Sequence, residues 1–115
     1  MTQVIGPEQM DLLVSAVRDG KIVAFPTETV YGVACLFDDL KGLDRIMEIK
    51  KRNPNKAVTL MLSKKDDVKK YGLVDEGTQR VIDKFMPGRM TIVLKRLDSV
   101  DSRHVSGKDT IGIRI

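Results

Sequence analysis

Lys21-Ile22-Val23-Ala24-Phe25-Pro26-Thr27-Glu28-Thr29-Val30-Tyr31-Gly32 is the most informative stretch of this chain. Ile22 to Phe25 is a short apolar run rich in strand-forming side chains, and it reads as a buried strand. Pro26 ends it, because proline has no amide to give to a ladder. Two threonines, a carboxylate and a tyrosine then enter a sharp turn before Gly32. Val33-Ala34-Cys35-Leu36 reads as a second short strand. Loops at strand ends in α/β proteins are where ligands bind, and hydroxyls there orient polar ligands. Equally, Thr27 and Glu28 can satisfy local backbone groups of the turn. Both readings stand at this point.

Upstream, Gly6-Pro7-Glu8 carries helix-start signals. Met10, Leu13, Val14 and Val17 follow at helical spacing, and Asp19-Gly20 closes the helix. Downstream, Leu40 to Lys51 predicts a helix with Leu43, Ile46, Met47 and Lys50 on one face, stopped by Asn53-Pro54. Val58 to Leu62 predicts a strand, and Ser63 is positioned to cap a short helix from Lys64. Asp75 to Met86 predicts a helix with Val81, Ile82 and Phe85 inward. Pro87-Gly88 predicts a turn, Thr91 to Leu97 a strand, Leu97 to Asp109 a polar loop, and Thr110 to Ile115 a last strand. Interleaved helices and strands predict an α/β fold, a twisted mixed sheet flanked by helices, in one domain over residues 1–115. The chain stops inside an apolar strand, so the expectation is a longer protein cut short.

Composition bounds the rest. In 115 residues, 42% hydrophobic content supplies a core and 31% charged content a wettable surface. No apolar run approaches the roughly 18 residues of a membrane helix, and no secretory signal opens the chain. One cysteine, Cys35, cannot close an internal disulfide, which fits a reducing cytoplasmic setting. The net charge of +4 suits an anionic partner without demanding one. Lys50, Lys51, Arg52 and Lys56 cluster, and Lys64, Lys65, Lys69 and Lys70 follow. Such runs are commonly solvated faces.

Lys50 and Arg52 can point together only if the helix ends there. Converging, they would neutralise a polyphosphate, the arginine bidentately. Favourable charge at a helix C-terminus explains them as well. Thr110, Gly112 and Arg114 fall on one face of a strand, since side chains alternate. The missing side chain at Gly112 leaves room for a ligand between hydroxyl and guanidinium. An edge strand with a polar face is the plainer alternative.

Other chemistries lack their residues. His104 is the lone histidine, read as a surface residue, and the lone cysteine excludes a cysteine zinc cluster, so no metal site is expected. There is no P-loop and no Gly-x-Gly-x-x-Gly turn.

Lys21 to Gly32, then Ile49-Lys50-Lys51-Arg52, then Met86-Pro87-Gly88-Arg89-Met90-Thr91-Ile92-Val93-Leu94, then Thr110-Ile111-Gly112-Ile113-Arg114 resemble the YrdC family in sequence and order. The resemblance covers nearly the whole chain. It implies a YrdC-like fold and threonylcarbamoyl-AMP synthesis, in which L-threonine, bicarbonate and ATP give threonylcarbamoyl-AMP and pyrophosphate. That product feeds threonylcarbamoyladenosine formation in tRNA. Thr27 would contact threonine, with Lys56 near that pocket and Arg114 on the threonine carboxylate. Lys50 and Arg52 would form the Lys-x-Arg half of the family's Lys-x-Arg…Ser-x-Asn signature and meet the phosphates, and Thr110 would contact ATP. Mg2+ would accompany ATP. Further implied partners are tRNA or double-stranded RNA and the proteins of threonylcarbamoyl transfer. The alternative reading is a non-catalytic RNA-binding module. Asn53 stands where the family commonly has proline, and the Ser-x-Asn half is expected downstream of Arg114, which leaves the fold and nucleotide pocket incomplete at the C-terminus.

Overall fold

The computed structural model describes residues 2–27, 30–51, 53 and 56–115. They fall into two compact units, Met1–Arg52 and Asn53–Ile115.

In the first unit a 3₁₀ turn at Pro7–Gln9 leads into α1, Met10–Arg18. The helix ends as Asp19-Gly20 predicted. Gly20 is left-handed at φ 83°, its amide donates to the Val17 carbonyl, and the Lys21 amide reaches back to Ala16 at 3.0 Å. This is a Schellman closure, in which glycine escapes the Cβ clash of the left-handed region. Strands β1, Val23–Phe25, and β2, Gly32–Ala34, pair antiparallel with Phe25 opposite Gly32. Helix α2, Leu40–Ile49, starts on Asp39, whose carboxylate accepts the Gly42 amide at 2.9 Å. Its inward face is set by Ile46, which is buried.

The second unit holds β3, Leu60–Met61; α3, Glu76–Phe85; β4, Ile92–Lys95; and β5, Thr110–Arg114. The sheet order is β3-β5-β4, with β5 parallel to β3 and antiparallel to β4. It is the mixed sheet of the predicted α/β class. One sheet face carries Leu60, Leu94, Ile111 and Ile113, and these join Val68, Ile82, Met86, Val100 and Val105 in the core. Each such side chain stabilises by about 1.5–3 kcal/mol on burial, so this unit rests on its aliphatic layer. Asp75 caps α3 by accepting the Thr78 amide at 2.7 Å.

Several expectations need correction. Strand β1, read as buried, has Ala24 exposed and Val23 and Phe25 only half-buried. Helix α2 ends at Ile49, not Lys51, and Lys51 is left-handed at φ 50°. Ser63 caps nothing: the segment Lys65–Lys70 is a 3₁₀ helix that follows Lys64 and has no side-chain cap. Of the trio read as inward on α3, only Ile82 is buried; Val81 and Phe85 are exposed, Phe85 to 52%. Helical spacing names a shared stripe but not the width that a neighbour covers. The polar loop after β4 contains a 3₁₀ turn, Ser102–Val105, that buries Val105, and His104 is half-buried, not at the surface. The Arg96 guanidinium ties this loop by donating to the carbonyls of Lys108 at 3.0 Å and Val100 at 2.6 Å.

Within that loop Arg103 donates to the Asp101 carboxylate at 2.7 Å and holds its pKa at about 2, below the ordinary 3.8. Both side chains are exposed. A depressed carboxylate pKa contributes stability that is present above the ordinary value and lost as pH falls through about 2. Thermal midpoints of the protein and of Asp101→Asn should therefore differ by a constant amount above about pH 5. The difference should shrink as pH falls below about 4 and vanish only below about pH 2.

Candidate functional site

The site is built on the side of β5 that faces away from the core. Ile111 and Ile113 point inward, at 1% and 0% exposure, so alternation turns Thr110, Gly112 and Arg114 to the other face. Register supplies their neighbours. Lys95 lies opposite Thr110, Val93 opposite Gly112, and Met61 beside Arg114 on the parallel side. Val93 is 65% and Met61 54% exposed, so this face is open. Arg114 is half-buried, while Thr110 and Lys95 are exposed.

Gly112 leaves a shallow depression in this face. A Cβ placed there would meet the Thr91 methyl carbon at 3.5 Å and the Thr59 hydroxyl oxygen at 3.8 Å, ordinary contact distances. The strand's own packing therefore does not require glycine. The sequence reading placed a ligand at this glycine, between the Thr110 hydroxyl and the Arg114 guanidinium. That reading missed Thr59 and Thr91. Each stands one residue before a strand of two or four residues, where alternation is too short to show. The outward parity they share with Met61 and with Val93 and Lys95 was the available signal.

The remaining predicted residues are placed as follows. Lys56 belongs to the same unit as β5 and is exposed, its amide donating to Asn53 at 2.9 Å. Thr27 and Lys50 belong to the first unit. Thr27 follows β1 through Pro26, and its hydroxyl donates to the Val30 carbonyl, so the local turn-closing role is realised. Tyr31 beyond it is exposed. Lys50 is exposed at the C-terminus of α2, where a cation suits the helix dipole. Arg52, with Glu28 and Thr29 of the turn, lies outside the described residues.

Cys35 lies beside the start of α2. It is half-buried with its Sγ 3.8 Å from the Asp39 carbonyl, and burial together with the Asp39 carboxylate pushes the thiol pKa up. Thiolate, not thiol, is the reactive form. Among the described residues no three His, Cys, Asp or Glu side chains gather as metal ligands, and no helix is long and apolar enough to cross a membrane.

The α/β fold is that of a known family, and the chain belongs to it: the Sua5/YciO/YrdC family. That family's model, described as "Telomere recombination", matches residues 15–115. A Methanocaldococcus jannaschii protein provisionally named threonylcarbamoyl-AMP synthase is 34% identical over 106 residues, 92% of this chain and 50% of that protein. The threonylcarbamoyl-AMP synthase of Pyrococcus abyssi is 31% identical over 100 residues, 86% of this chain and 29% of that protein. Among solved structures, P. abyssi Sua5 complexed with L-threonine matches with a TM-score of 0.85 and 28% identity, covering 98% of this chain and 34% of that one. Escherichia coli YciO matches with a TM-score of 0.86 and 27% identity, covering 99% and 59%. The chain thus spans half or less of those two named synthases.

Proposed function

We propose that this protein is a threonylcarbamoyl-AMP synthase, joining L-threonine, bicarbonate and ATP with release of pyrophosphate. The observation that carries the proposal is the open face of β5, where Arg114 and Thr110 flank the depression at Gly112. The L-threonine complex of the structurally similar Sua5 supports an amino acid as ligand.

In this reading the Arg114 guanidinium takes the threonine carboxylate in a bidentate pair, the geometry its planar fork favours. The family motifs assign Thr27 and Lys56 to L-threonine as well. Thr110 contacts ATP, and Lys50 and Arg52 meet its phosphates. The stoichiometry dictates the bond changes. Carboxylation of the threonine nitrogen by bicarbonate, with loss of water, gives a carbamate; its oxygen bonds to the α-phosphorus, the α–β phosphoanhydride breaks, and pyrophosphate leaves with the electron pair. Preorganised cations stabilise the charge that develops on the departing oxygen. Magnesium enters bound to ATP, as part of the substrate. Cytoplasmic work on tRNA follows from the same reading.

RNA binding by the lysines from 64 to 70 is less favoured. Lys70 pairs with Asp67 at 2.9 Å, and Lys65 donates to the Asp83 carbonyl at 3.2 Å. Those two cations have local partners.

The test is pyrophosphate release from MgATP with bicarbonate, with and without L-threonine. The expected result is threonine-dependent release that falls at least about a hundredfold in Lys50→Ala/Arg52→Ala, the scale of losing preorganised charge stabilisation. Release that ignores threonine, or that survives the double substitution, would contradict the assignment.

A further inference from the structure

The start of β5 is held differently from its end. Ile113 pairs with Leu60 of β3 and with Ile92 of β4, and Arg114 pairs with Met61. Among the described residues, Thr110, Ile111 and Gly112 have a partner strand on the β4 side alone. The segment that delivers Thr110 is also thinly anchored. Val100 and Val105 are buried, but Gly107, Lys108 and Asp109 after them are exposed, and Ser106 and Gly107 are left-handed at φ 55° and 76°. Burial fixes the middle of this loop and leaves its exit to hydrogen bonds.

Arg96 supplies them. Its amide donates to the Asp109 carbonyl at 2.7 Å, its Nε to the Lys108 carbonyl at 3.0 Å, and its Nη1 to the Val100 carbonyl at 2.6 Å. One planar group thereby bonds the loop near its entry and at its exit, a spread that the compact ammonium of lysine lacks. Arg96 is itself braced from its other side. It bridges to Gly72, the Leu73 amide donates to the Lys95 carbonyl at 2.9 Å, and the Leu97 amide donates to the Tyr71 carbonyl at 3.0 Å. Its neighbour Lys95 stands opposite Thr110. Resting on the proposed synthase reading, in which Thr110 contacts ATP, we infer that Arg96 is a positioning residue for that contact. It acts on ATP through Thr110, by fixing the two residues that lead into β5. It leaves the Arg114 end of the strand alone, because Ile113 is laddered on both sides.

The test measures dissociation constants of MgATP and L-threonine by ligand-observed NMR on the full chain and on Arg96→Met, Arg96→Lys, Thr110→Val and Arg96→Met/Thr110→Val. Methionine keeps an apolar stem at this half-buried position and removes the donors. Arg96→Met should weaken MgATP about fivefold, the scale of one hydrogen bond, and leave L-threonine within about twofold. Arg96→Lys should recover part of the loss. Thr110→Val should weaken MgATP at least as much as Arg96→Met does. The double variant should bind MgATP no more weakly than Thr110→Val alone, because a residue acting through another adds nothing once the other is gone. Amide hydrogen exchange over residues 107–111 should quicken in Arg96→Met and stay as it was at Ile113. Should Arg96→Met fail to fold, Arg96→Lys and its double variant with Thr110→Val carry the same comparison. If the Arg96 variants leave MgATP binding unchanged, weaken both ligands alike, or multiply the loss caused by Thr110→Val, the inference is wrong and the synthase reading survives. If the unaltered chain binds neither ligand, or Thr110→Val leaves MgATP binding untouched, the placement of ATP at Thr110 fails and the inference with it.

Discussion

Gly112→Ala should leave the fold as stable as before, or more so, and weaken amino-acid binding by at least about tenfold, which corresponds to about 1.4 kcal/mol. The two effects have opposite signs because two kinds of space are involved. Towards the protein, a Cβ at Gly112 meets Thr91 at 3.5 Å and Thr59 at 3.8 Å, and neither must move. The backbone there is ordinary strand, outside the left-handed region. Replacing a glycine at such a position reduces the freedom of the unfolded chain and stabilises by about 0.4–1 kcal/mol. Towards solvent, the same methyl fills the depression over which the proposed ligand lies. Urea denaturation gives the first quantity and an L-threonine titration the second. Loss of stability together with loss of binding would mean that Gly112 serves packing and that the depression is incidental.

Gly42→Ala is expected to do the reverse. Alanine is favoured over glycine in a helix by roughly 1 kcal/mol, so propensity alone predicts a gain. Geometry overrules it. A Cβ at Gly42 would lie 2.5 Å from Asp39 Oδ2, 2.9 Å from Asp39 Cγ and 2.9 Å from Cys35 Cβ. The Asp39 carboxylate cannot simply swing away, because it caps α2 through the Gly42 amide. Cys35 Cβ sits close to the main chain and moves only with it. Overpacking costs typically 1–3 kcal/mol, and losing the cap about 1 more. A net loss of roughly 1–3 kcal/mol in urea denaturation is the expected result. Asp39→Ala/Gly42→Ala should cost less than the sum of the single changes, since removing the carboxylate removes most of the clash.

These positions also show what a linear reading can reach. Thr110, Gly112 and Arg114 were legible as one face because Ile111 and Ile113 between them demand burial, and strand geometry does the rest. Asp19-Gly20 was legible because a left-handed closure calls for glycine. Thr59 and Thr91 were not, because their approach to Gly112 depends on the β3-β5-β4 order, a non-local fact. The clash that keeps Gly42 a glycine was hidden too, since it involves Cys35 seven positions earlier, beyond the helix. Val81 and Phe85 were misread because the apolar stripe of α3 is wider than the surface that covers it. Thr27 could be read as turn or ligand contact, and its bond to Val30 shows the turn role at work. The synthase signature was read through resemblance, since no single residue in Lys50 to Arg52 distinguishes a phosphate site from a dipole-matched helix end.

The central claim is that the open face of β5 holds the amino-acid substrate. The most direct measurement is a ¹⁵N amide titration of the full chain with L-threonine. Saturable shifts concentrated at residues 110–114, saturating only at higher threonine in Arg114→Lys, are predicted. Saturable shifts elsewhere that leave residues 110–114 unmoved would contradict the claim.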